Sequence, residues 1–299
     1  MNTILQTHNL NFSFNGKVNI LNNITLDVPK ASIYSFLGPN GAGKTTTIRI
    51  LCGLVRIGSG VVNIFGQDMA THRLSILRRM GTLIEQPSLY AHLSGYDNLK
   101  VFALNYGVDR KVIDGLLETV GLTDAARIPV KNYSLGMKQR LAIAVTLLPD
   151  PELLILDEPT NGLDPEGIIE IRQLMRRLQS EGKTIMVSSH LLSEIEKIST
   201  HVGVIRKGSI VFQGPSSELM NDHAQRFLMI ETPDIFKAAI ALQDRNLVIE
   251  QRTDSIRIPA IDRQDIPELI SMLVGQNIKI QQVRFEQQTL EERFIELTK

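Results

Sequence analysis

The stretch GPNGAGKTT, which begins at Gly38, constrains the fold of this chain more than any other segment. It follows the strand-like SIYSFL and precedes the helical TTTIRILCGL. Between a strand and a helix, the pattern G-x-x-x-x-G-K-[ST] forms a loop that binds nucleotide phosphates. Its glycines let backbone N–H groups converge on phosphate oxygens, and the start of the helix adds a positive end. We therefore predict an α/β chain that binds a nucleoside phosphate.

Two side chains in this loop have individual roles. Lys44 can reach the terminal phosphates, and the hydroxyl of Thr45 can ligate Mg²⁺. We predict that the nucleotide is contacted along one continuous stretch, which comprises Gly38, Pro39, Asn40, Gly41, Ala42, Gly43, Lys44, Thr45 and Thr46.

A pair of acidic residues follows a second apolar strand, in LLILDEP at 153–159. The strand delivers Asp157 and Glu158 to the carboxyl edge of a parallel sheet, where ligands collect. There Asp157 can hold Mg²⁺ and Glu158 can take a proton from attacking water. Adjacent acids at a strand end are also found in plain exposed loops. Together with the phosphate loop, however, they predict a nucleoside triphosphatase.

Strands and helices alternate up to about residue 220, which predicts a buried, largely parallel sheet. We place a first domain at 1–220. The predicted strands are ASIYSFLG, GVVNIFG, GTLIEQ, LLILDEP, TIMVSSH, HVGVIRKG and SIVFQG.

Residues 221–299 have a different pattern and are predicted to form an accessory α+β domain. The order is β-α-β-β-α-β, which suggests a ferredoxin-like arrangement, followed by a last helix. Thr232 with Pro233, and Asp265 with Pro267, look like helix starts. Thr289 and Glu292 have capping-box spacing for the last helix.

Charge, cysteine content and the length of apolar runs argue against nucleic-acid binding, an internal disulfide and a membrane span. Lys and Arg number 32, as do Asp and Glu, so there is no basic excess to indicate nucleic-acid binding. The single Cys52 lies in an apolar run, cannot form an internal disulfide and is expected to be a small core residue. We expect neither a signal peptide nor a membrane span, because no apolar stretch approaches the ~20 residues that a span requires.

A long helix is predicted from YSLGMKQRLAIAVTLL at 133–148. Ser134 looks like its N-cap, so the Ser134 hydroxyl and the Gly136 N–H lie at a positive helix end. By itself such an arrangement is usually ordinary helix capping.

In this context the chain resembles the ATP-binding subunits of ATP-binding-cassette (ABC) transporters. Ser134 and Gly136 match the serine and second glycine of the family signature, and Gln139–Arg140 match its following pair, although the residues at 135 and 137 depart from the usual form. NGLDP places Asp164 at the family's next aspartate, and TIMVSSH places His190 at its switch histidine. The resemblance covers residues 1–220 through six ordered motifs.

The resemblance implies a P-loop NTPase cassette with a parallel-sheet core, an antiparallel β subdomain and a helical subdomain. It implies a head-to-tail dimer, with a second copy or a homologous cassette, in which each ATP lies between one phosphate loop and the partner's signature. Ser134 and Gly136 would act in trans, and an aromatic residue, Phe14 or else Phe12, would stack on adenine. The residues implied to act in cis on ATP and Mg²⁺ are Lys44, Thr45, Asp157, Glu158 and His190, and His190 would bridge the γ-phosphate and the nucleotide-binding segment around Asp164.

The finer resemblance is to exporter cassettes that protect bacteria against lantibiotic or bacitracin-like peptides. The matching stretches are FLGPNGAGKTTTIRIL, LIEQPSLYAHLSGYDNL, YSLGMKQRLAIA and TLEERFIELT. This resemblance implies transmembrane permease partners, a place at the cytoplasmic face of the bacterial membrane and no nucleic-acid partner. The alternatives are an exporter of another substrate, a non-transport cassette ATPase that acts on ribosomes or DNA, and a regulatory ATP binder without turnover.

The segment GTLIEQPSLY falls where this family presents a glutamine to Mg²⁺ and to the attacking water. Alignment of Gly81, Leu83, Pro87 and Tyr90 with the family pattern puts Glu85, rather than Gln86, at that position. Gln86 precedes proline and is biased to an extended backbone, which turns its side chain away from that of Glu85. An acid therefore replaces the usual amide, and Glu85 is a candidate for both catalysis and Mg²⁺ binding.

Overall fold

The protein is represented by a computed structural model that describes residues 3–14, 18–84, 88–189, 197–221, 226–245, 247–259 and 261–287. The described residues up to 219 form one compact unit, and those from 220 onward form a second. The strands of the first unit are β1 (Thr3–Ser13), β2 (Asn19–Pro29), β3 (Ile33–Leu37), β4 (Ser59–Ile64), β5 (Gln67–Asp68), β6 (Met80–Leu83), β7 (Leu153–Asp157), β8 (Thr184–Ser189), β9 (His201–Arg206) and β10 (Ser209–Pro215). The described helices that accompany them are α1 (Lys44–Leu51), α2 (Met69–Leu77), α3 (Gly95–Ala103), α4 (Arg110–Thr119), α5 (Leu135–Leu147), α6 (Pro165–Ser180) and α7 (Ser216–Asn221).

A six-stranded sheet forms the centre of the first unit, in the order β10-β9-β3-β8-β7-β6. All its neighbouring pairs are parallel except β10 with β9. Strands β3, β7 and β8 are buried along their whole length, as expected of parallel strands that are covered on both faces. The predicted parallel core is confirmed, and the apolar run LLIL lies inside the sheet rather than at its edge.

A second sheet in this unit is antiparallel, in the order β2-β1-β4-β5. It contains GVVNIFG, which strand–helix alternation had assigned to the parallel sheet. Val62 and Ile64 face the core, whereas Val61 is exposed, so β4 has one buried and one exposed face. Such alternation is typical of an antiparallel sheet with one solvated side. One apolar core joins the two sheets through residues that include Leu10, Ile24, Tyr34, Ile48 and Leu51.

Helices α3, α4 and α5 pack together, and α5 also packs against α6. The amphipathic α4 buries Ile113 and Leu117, and α5 buries Leu141 and Ile143. Helix α5 begins where the sequence predicts, because the Ser134 hydroxyl accepts a hydrogen bond from the Met137 N–H at 3.1 Å.

The second unit is built from β11 (Arg226–Glu231), α8 (Ile235–Gln243), β12 (Glu250–Gln251), β13 (Ser255–Pro259), α9 (Ile266–Gly275) and β14 (Gln282–Gln287). Its four strands form an antiparallel sheet in the order β12-β13-β11-β14. Apolar residues of α8 and α9 form one core with alternate residues of β11 and β13, including Leu228, Ile230, Leu242, Ile256 and Leu273. The described elements follow the predicted order β-α-β-β-α-β. The predicted last helix lies outside the described residues, and the ferredoxin-like assignment stays a prediction.

The predicted helix starts in this unit agree with the structure in part. Helix α9 follows Asp265 and has Pro267 in its first turn, as predicted. The N-cap of α8 is Asp234 rather than Thr232. The Thr232 hydroxyl accepts a hydrogen bond from the Asp234 N–H and donates one to the Lys279 carbonyl. Thr289 and Glu292 lie outside the described residues. Within the described ranges, no helix has both the length and the apolar character required to span a bilayer.

Candidate nucleotide site

The order of strands in the parallel sheet brings the two predicted motifs together. Strand β8 lies between β3, which leads into the phosphate loop, and β7, which ends at Asp157. The register pairs Leu37 with Ser189 and Asp157 with Ser188, so these strand ends lie side by side. The site therefore lies at the carboxyl edge of the parallel strands.

The phosphate loop requires glycine at two positions for different reasons. Gly43, the N-cap of α1, has φ 111°, which side chains rarely adopt. A Cβ on Gly38 would lie 2.5 Å from the backbone oxygen of Ile205 in β9, so this position allows no side chain. Together they let the chain pass directly from β3 into α1, a loop geometry in which backbone N–H groups can converge on an anion.

We expect Gly38→Ala to lower the free energy of unfolding by about 1–3 kcal/mol, the usual cost of overpacking a core. The reason is that the new methyl would collide with the backbone of Ile205. Gly115→Ala is the matched control, because nothing lies within 4 Å of its Cβ position in α4. That control should gain about 0.5–1 kcal/mol from higher helix propensity. Urea unfolding measures both, and equal midpoints for the two variants would contradict the expectation.

Lys44 connects the phosphate loop with the acidic pair. Its side chain is 6% exposed, and Nζ donates hydrogen bonds to the carbonyls of Gly38 at 2.7 Å and Pro39 at 3.4 Å. The same Nζ lies 3.6 Å from Oε1 of Glu158. The predicted lysine and the predicted base therefore belong to one site, where limited solvent strengthens their electrostatic interaction.

The acidic pair is held by strand β8. The Glu158 N–H donates a hydrogen bond to Oγ of Ser188 at 3.0 Å, and the Ser188 hydroxyl donates to Oδ1 of Asp157. Glu158 has φ 49°, a left-handed conformation that costs a non-glycine residue about 1–3 kcal/mol and is found mainly at functional sites. Asp157 is buried, whereas Glu158 lines the cavity described next.

A cavity of about 480 Å³ opens over the phosphate loop, within the size range of ligand sites. It joins most of the predicted phosphate-contacting residues to the predicted base, and adds two residues that were not predicted, Ile20 and Asn161. Its lining consists of Ile20, Pro39, Asn40, Gly41, Gly43, Lys44, Thr45, Thr46, Glu158 and Asn161. The two remaining predicted contacts, Gly38 and Ala42, are not among these lining residues, and both are buried.

The donor set fits Mg²⁺, which prefers oxygen ligands and is usually bound by one or two carboxylates together with substrate phosphates. Thr45 lines the cavity, and Asp157 directly precedes the cavity-lining Glu158. Among the described residues, no group of three or more His, Cys, Asp or Glu forms a metal site. Phosphate oxygens of a bound nucleotide would complete the coordination of the ion.

Cys52 lies beneath this site, in the core, as predicted. Burial, and secondarily the charge of Asp157, raises the pKa of the thiol to about 12. The thiol therefore stays protonated at neutral pH and behaves as an apolar group.

The signature residues lie at the start of α5. Ser134 is exposed and Gly136 is buried in the first turn. Neither belongs to the described lining of the cavity. Asp164 lies nearby along the chain as the N-cap of α6, where its Oδ1 accepts from the Gly167 N–H at 3.1 Å. The first turns of α5 and α6 lie close together, since a Cβ on Gly136 would lie 3.8 Å from the Cα of Gly167.

Of the two candidate adenine-stacking rings, Phe14 is 64% exposed and Phe12 is 8% exposed. They pack edge to face with ring centroids 4.9 Å apart. Phe12 is a core residue, so Phe14 is the ring that is accessible to a ligand. Neither ring lines the described cavity, and adenine stacking stays a prediction.

Glu85, Gln86 and His190 lie outside the described residues. Their neighbours are described: β6 ends at Leu83, and β8 ends at Ser189, directly before His190.

Several known proteins are similar to this chain in sequence. A family profile described as "ABC transporter" matches residues 21–161. The lantibiotic transport ATP-binding protein SrtF of Streptococcus pyogenes is 48% identical over 70% of this chain and 90% of its own length. The bacitracin transport ATP-binding protein BcrA of Bacillus licheniformis is 39% identical over 99% of this chain and 98% of its own length.

Experimental structures with a similar fold are also known. The cbiO1 protein of Clostridium perfringens, described as part of the ABC transporter complex cbiONQ, superposes with a TM-score of 0.70 at 27% identity. The superposition covers 82% of this chain and 98% of that protein. The phosphate loop, the acidic pair and these relatives lead to one conclusion: the chain belongs to the family of ABC transporter ATP-binding proteins.

Proposed function

We propose that this chain is the ATP-hydrolysing subunit of a membrane exporter that removes an antimicrobial peptide of the lantibiotic or bacitracin type. The observation that carries the proposal is the 39% identity to a bacitracin transport ATP-binding protein over 99% of the chain, which includes the C-terminal unit. The 48% identity to a lantibiotic transport ATP-binding protein over 70% of the chain supports the same class of cargo.

In the proposed mechanism, the phosphate loop and Lys44 bind the phosphates of ATP and balance their negative charge. Thr45 and Asp157 would hold Mg²⁺, which neutralises charge on the β- and γ-phosphate oxygens when it is bound. Glu158 accepts a proton from the water that attacks the γ-phosphate in line. His190 contacts the γ-phosphate and the segment around Asp164.

The proposed active assembly is a head-to-tail dimer with a second copy or a homologous cassette. Ser134 and Gly136 of one copy then present a hydroxyl and a helix N-terminus to the ATP bound by the other copy. This arrangement agrees with the position of both residues outside the cavity of their own chain. Phe14 stacks on adenine.

The partners in this proposal are transmembrane permease subunits, which hold the chain at the cytoplasmic face of the bacterial membrane. Residues 1–220 form the cassette and 221–299 an accessory domain. Equal numbers of acidic and basic residues give no support to a nucleic-acid partner.

The cargo is tested by reconstituting the chain with the transmembrane permease subunits that co-purify with it. Inside-out vesicles of this complex should accumulate a fluorescent lantibiotic or bacitracin when ATP is added, and vesicles with Glu158→Gln should not. ATP hydrolysis without movement of any such peptide would reject the cargo. Co-purification with ribosomes or DNA, instead of permease subunits, would reject transport itself.

We expect Glu85→Gln to retain ATP binding but to weaken the coupling of hydrolysis to transport. A carboxylate at this position attracts Mg²⁺ and repels the γ-phosphate, and each of these opposed interactions reaches about 4 kcal/mol at close range. The number of peptides moved per ATP hydrolysed measures the coupling. If hydrolysis and transport both stay unchanged, Glu85 is not at the switch position and Gln86 has to be reconsidered.

A further inference from the structure

Ser188 is a buried polar residue on strand β8, between the strand that precedes the phosphate loop and the strand that carries the acidic pair. It is the residue of β8 that pairs directly with Asp157. A fully buried hydroxyl needs hydrogen-bond partners, because leaving it without them is unfavourable. What Ser188 bonds to therefore indicates what it is for.

The Ser188 hydroxyl forms hydrogen bonds with both acidic residues at the same time. Its proton is donated to Oδ1 of Asp157, and its oxygen accepts the N–H of Glu158 at 3.0 Å. A serine hydroxyl has one proton to donate, so the bond to Asp157 fixes its orientation and leaves its lone pairs for Glu158. One oxygen atom thereby sets the orientation of the Asp157 carboxylate and anchors the backbone of Glu158.

That anchor is at a place where the backbone is under strain. Glu158 is held at φ 49°, and a conformation of this kind persists only where surrounding contacts enforce it. The N–H bond to Ser188 is one such contact, and the 3.1 Å bond from the Asn161 N–H to the Glu158 carbonyl is another. The first contact comes from a different strand, so it also fixes Glu158 relative to β8.

We infer that Ser188 is a positioning residue for ATP hydrolysis, which orients Asp157 toward Mg²⁺ and holds Glu158 where it acts as the base. The inference rests on the proposed ATPase function. Partners that orient metal ligands typically account for about 10- to 100-fold in metal affinity or activity. The signal in the sequence was a polar residue near the end of the apolar strand TIMVSSH.

A purely structural role is the competing explanation, and the same sheet offers a comparison. Ser35 on β3 is also fully buried, and its hydroxyl pairs with that of Ser199 rather than with any predicted site residue. Ser35→Ala and Ser188→Ala therefore remove the same group from the same sheet, but only the second removes it from the acidic pair.

Three substitutions at Ser188 distinguish the effect of losing the hydroxyl from the effect of changing the side-chain volume. Ser188→Ala removes the hydroxyl. Ser188→Thr and Ser188→Val add nearly the same volume, and only the first of them retains the hydroxyl. For each we would measure the binding of a fluorescent ATP analogue with and without Mg²⁺, the rate of phosphate release over a range of Mg²⁺ concentrations, and the melting temperature.

We expect Ser188→Ala and Ser188→Val to bind the analogue normally without Mg²⁺. Both should need about 10- to 100-fold more Mg²⁺ for half-maximal hydrolysis and should show a lower maximal rate. Ser188→Thr should hydrolyse ATP at a rate within a few-fold of that of the unchanged protein. Ser35→Ala should hydrolyse ATP at the same rate as the unchanged protein.

Several results would overturn the inference. One is that Ser188→Ala leaves the Mg²⁺ requirement and the rate of hydrolysis unchanged. Another is that Ser188→Thr and Ser188→Val lose hydrolysis to the same extent. Failure of Ser188→Ala to fold would also overturn it, because the hydroxyl would then be a structural requirement. If the unchanged protein itself does not hydrolyse ATP with Mg²⁺, the proposed ATPase function fails instead, so the two failures are distinguishable.

Discussion

Glu158→Gln is expected to lower the rate of ATP hydrolysis by about 10²- to 10⁴-fold, the usual contribution of a general base. Glutamine has nearly the shape of glutamate but cannot accept the proton of the attacking water. The Lys44 contacts with the carbonyls of Gly38 and Pro39 do not involve the carboxylate, so binding of ATP should persist. Bound but unhydrolysed ATP should then hold two copies together.

Phosphate release and size-exclusion chromatography with ATP measure these two effects. Glu152→Gln is the matched control, because Glu152 precedes the opposite end of β7 and pairs with Arg79 at 2.7 Å. The control should hydrolyse ATP normally and should not be trapped as a dimer. Normal hydrolysis by Glu158→Gln as a monomer would contradict both the assigned base and the dimer.

Mixing Lys44→Met with Gly136→Asp is expected to restore hydrolysis that neither variant shows alone. Each change should cost about 10²- to 10³-fold, because each removes or opposes the groups that balance charge on the phosphates. In a head-to-tail dimer of the two variants, one site carries both defects and the other carries neither. A Cβ on Gly136 would have its nearest atoms at 3.8 and 3.9 Å, so the start of a side chain fits there.

Random pairing of equal amounts gives about a quarter of the normal rate, because half of the dimers are mixed and each has one intact site. Phosphate release by the mixture measures this. Lys44→Met mixed with Glu158→Gln is the control, since these residues serve the same site in cis and every dimer would have two defective sites. Activity in the control mixture, or none in the test mixture, would contradict the assignment of the signature to the partner's site.

The parallel core could be predicted from the sequence because its strands are unbroken apolar runs between turns, as in LLIL before Asp157. The antiparallel sheet was harder to place. Strand β4 looks like another strand of an alternating α/β pattern, and only its pairing with β1, from Leu5 opposite Ile64 onward, assigns it to a separate sheet. Pairing between distant segments is not encoded in local periodicity.

Site residues that belong to a local sequence motif could be predicted. Site residues that reach the site only through the order of the strands in the sheet could not. Lys44 and Glu158 stand in recognisable motifs, and the structure places them 3.6 Å apart. Ile20 and Ser188 stand in no motif. They reach the site only because β2 passes the phosphate loop and β8 lies beside β7, which the sequence does not state.

The place of β8 also determines when the site can assemble. Both motifs are present once the nascent chain has reached residue 158. The strands that carry them, β3 and β7, are however not neighbours in the sheet. The strand that separates them, Thr184–Ser189, comes later along the chain. A nascent chain that stops at about residue 180 would thus contain both nucleotide-binding motifs without the strand that aligns them. The ability to bind ATP should therefore appear abruptly during synthesis, once β8 has left the ribosome and inserted between its two neighbours.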